Sequence, residues 1–229
     1  MTSKEIYRQL CQQEKSIPIF SRDWWLDIVC GQEQWDVLLL HDKLGTIEAA
    51  MPLYMPRPGY VVMPAYTQTM GPWIAAASAD SKYTSLLGKR QVILGELASQ
   101  LAHLHVFQQN FAWTITDWLP FYWQGFRQTT RYTYLLSGLR QPSRIWENMS
   151  QQTRRNIIKA EKKYQIQVRR NIPADEFIGI QRQTFQRQRL AAPKGETVLR
   201  QLIEVCRQRN QGDIWGGYDA NGQLHAAVF

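Results

Sequence analysis

The chain has 229 residues, of which 44% are hydrophobic, 20% charged and 12% aromatic; this excludes a disordered or fibrous protein and leaves enough apolar mass for one large domain or two small ones. Its formal charge of +8 is unevenly spread, with 12 basic and 11 acidic side chains in residues 1–140 but 15 and 8 in residues 141–229. The second part is therefore expected to face an anionic partner.

In chain order, a short helix to about Gln13 is followed by an extended IPIF segment, Ile17 to Phe20, and a helical SRDWWLDIVC beginning after Ser21. Trp35 to Leu40 (WDVLLL) and Thr46 to Met55 (TIEAAMPLYM) read as the strands of a hairpin, with Gly45 at the turn position that needs positive φ. Tyr60 to Pro64 is extended, and the Gly-Pro turn in the loop YTQTMGPW brings Tyr66 and Trp73 forward as candidate walls of a cleft, or as aromatics buried under a turn. A helix is expected over Lys89–Phe107, with Ile93, Leu97, Leu101 and Leu104 on one face. His103 and His105 then point to different faces, which argues against a shared metal. Phe111–Thr116 and Phe126–Leu136 read as strands around an aromatic turn at Trp118–Gln124, and SGLRQPS marks a boundary that gives units 1–140 and 141–229.

The second unit opens on a basic segment. From Arg140 to Arg170 nine Lys/Arg stand against Glu147 and Glu161, a surplus of seven positive charges. Helical spacing puts Trp146, Met149, Thr153, Ile157, Ala160 and Tyr164 on one stripe, expected to bury against a sheet, and Arg155, Lys159 and Lys162 on another face. A charge run alone is ordinarily a solvated helix face. Here Arg154 and Arg155 follow a Ser150 N-cap, where free amides and the helix dipole favour anions, and guanidinium grips phosphate through a planar fork. Arg154, Arg155 and Lys159 are the candidate anion-binding residues. Beyond them come a strand Ile166–Arg170, a helix Ala174–Gln188, a loop through Pro193 and Gly195, a helix Glu196–Arg209, and a last hairpin with its turn at Asp219–Gly222.

That hairpin repeats the first. At an offset of 177 residues, Asp36, Asp42, Gly45, Ala49 and Ala50 match Asp213, Asp219, Gly222, Ala226 and Ala227 without a gap, and the alternation of both strands is kept. The sequence is accordingly expected to be the N-terminal part of a longer chain, since the first unit continues well past the matching point and the second does not.

Cys11, Cys30 and Cys206 are odd in number, far apart and without CxxC or Cys/His ligand spacing, which suits a reducing compartment and predicts no metal site. No apolar run approaches a membrane span, and the polar N-terminus has no signal-peptide core. A cytoplasmic protein is expected, with a basic patch able to hold it at the inner membrane face. The sequence has no GxSxG, Walker loop, GxGxxG or HExxH. Glu48 and His225, which match across the repeat, are the positions where a general base would be sought, although each also reads as an ordinary surface residue of a strand. No catalytic residue is assigned.

Taken together, FSRDWWLDIVC, WDVLLL, AAMPLY, YTQTMGPW and SQQTRRNIIKAEKKYQIQV resemble, in order and spacing, the Fem-like acyltransferases of the GNAT superfamily, which include peptidoglycan bridge-forming aminoacyltransferases and BioF2-like domains. The resemblance covers most of the chain. It implies an α+β fold of two tandem GNAT-like halves, each a mixed, mostly antiparallel sheet flanked by helices. It also implies transfer of an acyl or aminoacyl group to an amine of an anionic acceptor such as a cell-wall precursor. The donor would be acetyl-CoA or another acyl-CoA, or aminoacyl-tRNA, with no tightly held cofactor, and Arg154 or Arg155 would match the arginine that holds the acceptor diphosphate. A rival reading of the same basic segment is a non-catalytic module for RNA or an anionic membrane surface.

Overall fold

The computed structural model describes residues 1–77, 81–191 and 194–229. Helices and mostly antiparallel sheets share the chain, which makes it an α+β protein. Its backbone contacts separate Met1–Thr129 from Thr130–Phe229.

In the first unit, α1 (Ser3–Gln13) starts from a capping box in which the Thr2 side chain accepts from the Glu5 amide and the Glu5 carboxylate accepts from the Thr2 amide. It is followed by α2 (Asp23–Cys30), β1 (Trp35–His41), β2 (Ile47–Tyr54), β3 (Tyr60–Val61), β4 (Trp73–Ile74), α3 (Tyr83–Leu101), β5 (Val106–Phe107) and α4 (Leu119–Trp123). The sheet has the order β1-β2-β4 and is antiparallel throughout. Strand alternation sends Trp35, Val37 and Ala50 to one face, against Tyr7, Cys11 and Leu26 of α1 and α2. The other face receives Leu40, Ala49, Met51 and Leu53, against Ile93, Leu94, Leu97, Ala98 and Leu101 of α3 and Phe121 of α4. Both faces of the sheet are thus covered.

Polar contacts hold α1 and α2 in place on their face. The Arg22 guanidinium donates to the carbonyls of Cys11 (2.5 Å), Lys15 (2.9 Å) and Ile17 (3.1 Å). Arg8 grips both oxygens of Asp27 at 2.7 and 2.8 Å, and the Trp35 indole N–H donates to the same carboxylate at 3.0 Å. Apart from this sheet, β3 and β5 pair in parallel, Tyr60 with Val106 and Val61 with Phe107.

Several elements of the first unit differ from expectation. Ile19–Ser21 forms a single 3-10 turn where IPIF was expected to be extended, because the Ser21 amide closes on the Pro18 carbonyl at 2.9 Å. The helix α3 starts and ends earlier than expected; the Leu104 amide turns back to the Leu101 carbonyl, which leaves His103 and His105 outside the helix. Phe111–Thr116 is not a strand, since its backbone is drawn into a turn (Ile115 N–H to Ala112 C=O, 2.9 Å) while Phe111 packs edge-on to Phe121 at 5.1 Å. Trp118–Gln124 holds the short helix α4. Phe126–Leu136 also forms no strand: Arg127 to Leu136 are all exposed, so no face there is buried against a partner layer.

The second unit contains α5 (Pro142–Asn148), α6 (Gln151–Lys162), β6 (Gln167–Arg170), α7 (Ala174–Arg187), α8 (Glu196–Gln208), β7 (Trp215–Tyr218) and β8 (Leu224–Val228). The strands form an antiparallel sheet in the order β6-β7-β8. Its core is Leu199, Leu202, Ile203 and Cys206 on one stripe of α8, together with Ile172, Ile178, Ile214 and Tyr218. Gly216 lies close under this packing: a Cβ there would be 2.7 Å from the end of the Ile172 side chain, which would have to shift. The expected loop residue Pro193 lies outside the described residues, and Gly195, at φ 94°, stands immediately before α8.

The duplicated hairpin is duplicated in its bonds. In the first turn the Asp42 carboxylate accepts from the amides of Leu44 and Thr46, and in the second Asp219 accepts from Asn221 and Gln223, all at 2.8–2.9 Å. Gly45 and Gly222 stand at φ 81° and 79°. The pairs Leu39↔Ala50 and Leu40↔Ala49 recur as Gly216↔Ala227 and Gly217↔Ala226, and the register slips at the same step, Leu40/His41 and Gly217/Tyr218. Even the bond from Val37 N–H to its neighbour Asp36 returns as Ile214 N–H to Asp213. A Cβ at either turn glycine would meet nothing within 4 Å, so Gly45→Ala and Gly222→Ala test backbone strain without a clash. Each is expected to lower stability by about 1 kcal/mol, read from denaturant midpoints; a loss at one turn only would show that the two are not equivalent.

Candidate functional site

The Ser150 N-cap forms as expected, its hydroxyl oxygen accepting from the Thr153 amide at 3.1 Å. Arg155 and Lys159 are exposed one helical turn apart, while Arg154 is half-buried and donates back to the Glu147 carbonyl at 3.4 Å. The Lys159 and Lys163 ammonium groups each sit 5.6 Å from the centre of the Tyr164 ring. Among the described residues, no carboxylate lies within salt-bridge distance of Arg154, Arg155 or Lys159. Arg155 and Lys159 form an exposed basic surface, and Arg154 lies beside it, turned back toward Glu147.

Burial of the apolar stripe is not observed. Met149 and Ser150 adopt extended conformations that break the segment into α5 and α6, so Trp146 and Ile157 are not on one continuous helix. Neither helix has a buried residue, and Trp146, Ile157 and Tyr164 are 36%, 41% and 53% exposed. The basic helix presents Ile157 and Ile158 together with its cationic side chains to solvent.

A second cationic feature was not legible in the sequence. Arg170, Asn171, Arg207, Asn210, Gly212, Asp213 and Trp215 line a cavity of about 460 Å³. Pairing of β6 with β7 places Arg170 opposite Trp215, with the guanidinium 4.8 Å from the indole centre. From the last turn of α8, Arg207 donates to the Ile172 carbonyl, and its buried Nε, 3.6 Å from Asp213 Oδ1, has no hydrogen-bond partner. Arg170 Nε lies 3.9 Å from the other oxygen of Asp213. Two guanidinium groups therefore share one carboxylate, leaving a surplus positive charge beside an aromatic face, which suits an anion carrying a flat or apolar group. Arg170 belonged to the basic run, but Arg207 and Asp213 come to it only through strand pairing.

The cleft candidates separate. Trp73 lies in β4 and lines a cavity of about 410 Å³, whereas Tyr66, at φ 57°, is not among the residues lining it. Glu48 is ion-paired with Lys89 at 2.9 Å. His225 contacts Asp219 at 3.0 Å, and this contact, followed by the Gln223 amide, holds the Asp219 carboxyl below its ordinary range. Burial pushes the Cys11 thiol up to about 11 and the Cys30 thiol up to about 12, so both are protonated near neutral pH and unsuited to nucleophilic catalysis. Among the described residues, no group of three or more His, Cys, Asp or Glu could hold a metal ion, and no helix is long and apolar enough to cross a membrane.

Comparison with known proteins finds no matching family model and no matching curated protein.

Proposed function

We propose that the chain is an N-acyltransferase of the Fem-like GNAT type, transferring an acyl or aminoacyl group to an amine on an anionic acceptor. The observation that carries this reading is the repeat: in each unit two helices lead into a hairpin with the same turn bonds, the same register slip and the same paired alanines. Tandem halves of this kind are what the resemblance implies. Such chemistry needs a deprotonated amine held in line with a polarised carbonyl, and positioning supplies much of the rate without a protein nucleophile. In this reading Arg154, Arg155 and Lys159 bind the acceptor's anionic part.

The test is transfer from radiolabelled acetyl-CoA, and separately from aminoacyl-tRNA, to a uridine-diphosphate-linked cell-wall peptide, using the full chain. Label moving from one donor to the acceptor amine, and less of it in Arg155→Ala, supports the proposal. Absence of transfer from both donors, with neither raising the melting temperature, overturns it. A second reading is favoured by the exposed Ile157 and Ile158 of α6 and the exposed Tyr164 just beyond it, beside cationic side chains, namely attachment to an anionic membrane surface. Co-sedimentation with vesicles containing phosphatidylserine but not with neutral vesicles would mark that reading.

A further inference from the structure

The 410 Å³ cavity of the first unit has walls that are both apolar and fixed. The helix α3 divides its surface between two tasks. Ile93, Leu97, Ala98 and Leu101 fill the core beneath the sheet with almost no exposure, whereas Leu86, Leu87 and Arg90 turn to the cavity, with Leu94 shared between them. Trp73 of β4 and, from the segment before α4, Ala112 and Thr114 to Asp117 complete these walls. Each of these walls is pinned. The Trp73 indole N–H donates to Ser16 Oγ at 2.8 Å. Asp117 accepts from Gln91 of α3 at 2.9 Å and from the Leu119 amide at 3.0 Å, which ties the segment to the helix and commits both carboxylate oxygens.

A space of this size, lined by leucine, isoleucine, proline and tryptophan around a few polar groups, matches the form of small-ligand sites. Arg90 is the one lysine or arginine among the described lining residues and is exposed, so its guanidinium belongs to the rim. The neighbouring Lys89 is engaged with Glu48. We propose that this cavity binds a small amphiphile with an apolar chain or ring seated between Trp73 and Leu87 and a single carboxylate on Arg90. This inference is independent of the acyltransferase reading and of the basic surface in the second unit.

The probe is decanoate, titrated calorimetrically into the full chain, with decyltrimethylammonium as the head-group control. A saturable decanoate site in this cavity is expected, told apart from any binding beside Arg170 and Trp215 by its persistence in Arg170→Glu, with little binding of the cationic analogue. Arg90→Glu, an exposed substitution, should weaken decanoate about tenfold or more by replacing attraction with repulsion. Leu87→Trp should remove binding by filling the space, while Arg154→Glu leaves it intact. Absence of a saturable site, equal binding of the two head groups, or unchanged affinity in Arg90→Glu overturns the proposal. If Leu87→Trp fails to fold by circular dichroism, Arg90→Glu and the head-group comparison decide the matter.

Discussion

Leu97→Ala should destabilise the first unit by about 2–5 kcal/mol, the largest single-residue effect expected in this protein. Leu97 has no exposed surface and sits in the middle of the α3 stripe formed by Ile93, Leu94, Ala98 and Leu101. Its neighbours in the same core include Leu40, Ala49, Met51 and Leu53 of the sheet, all of them buried, so the space left by the lost methyl groups is refilled only in part. Interiors are packed too tightly for the neighbours to relax fully, and the remaining void forfeits dispersion contacts as well as the transfer free energy. Denaturant unfolding followed by tryptophan fluorescence should show a lower midpoint with an unchanged slope. Leu44→Ala, at a position 90% exposed, serves as the control and should stay within about 0.5 kcal/mol of the parent. A loss below about 1 kcal/mol at Leu97 would mean that α3 does not pack on the sheet as described.

Replacing Arg154, Arg155 and Lys159 together by Glu should reduce binding of inorganic polyphosphate by two or more orders of magnitude at low salt, since about three phosphate contacts become repulsions. The slope of log affinity against log salt should fall by about three, one for each lost contact. The fold should tolerate the change. Arg155 and Lys159 are exposed and Arg154 is half-buried, and acids at 154 and 155 near the helix start are favoured by the dipole, which offsets the disfavoured acid at 159. Filter binding across a salt series, with circular dichroism as the check on folding, reads both effects. Affinity and slope that match the parent would remove α6 from the anion site and direct attention to Arg170 and Arg207.

Much of the fold could be read from sequence because its signals are local. Trp35–Leu40 and the returning strand declare themselves by alternation and an Asp-x-x-Gly turn, and α8 by Leu199, Leu202, Ile203 and Cys206 at steps of three and four. The repeat was legible because Asp42 and Asp219 do the same work with their carboxylates in both places, so the residues that specify the turn are the ones that match. Some failures were local, such as the 3-10 turn at Ile19–Ser21 and the shifted ends of α3, but the larger ones depended on packing against other elements. Phe111–Thr116 is apolar enough for a strand, yet Phe111 packs edge-on to Phe121 and the backbone turns. The stripe from Trp146 to Tyr164 has helical spacing, but spacing carries no information on what covers it, and an extended Met149–Ser150 interrupts it. Of the candidate site, the N-cap and the exposure of Arg155 and Lys159 followed from local rules. The Arg170–Arg207–Asp213 cavity did not, because Arg207 and Asp213 reach Arg170 only after β6 and β7 pair.

The parallel contact between β3 and β5 bears on how the first unit reaches its native state. The β1–β2 hairpin closes a short turn, so its pairing is available early and at small entropic cost. Tyr60 and Val61 must instead wait for Val106 and Phe107, with the β4 strand and the whole of α3 lying between them in the chain. Their ladder is only two residues long on each side, too small to hold such a loop closed by itself. It follows that this pairing is a late event that depends on α3 having already docked. Core substitutions along α3 should accordingly slow folding of the unit as well as weaken it, whereas substitutions within the β3–β5 ladder should chiefly hasten its unfolding.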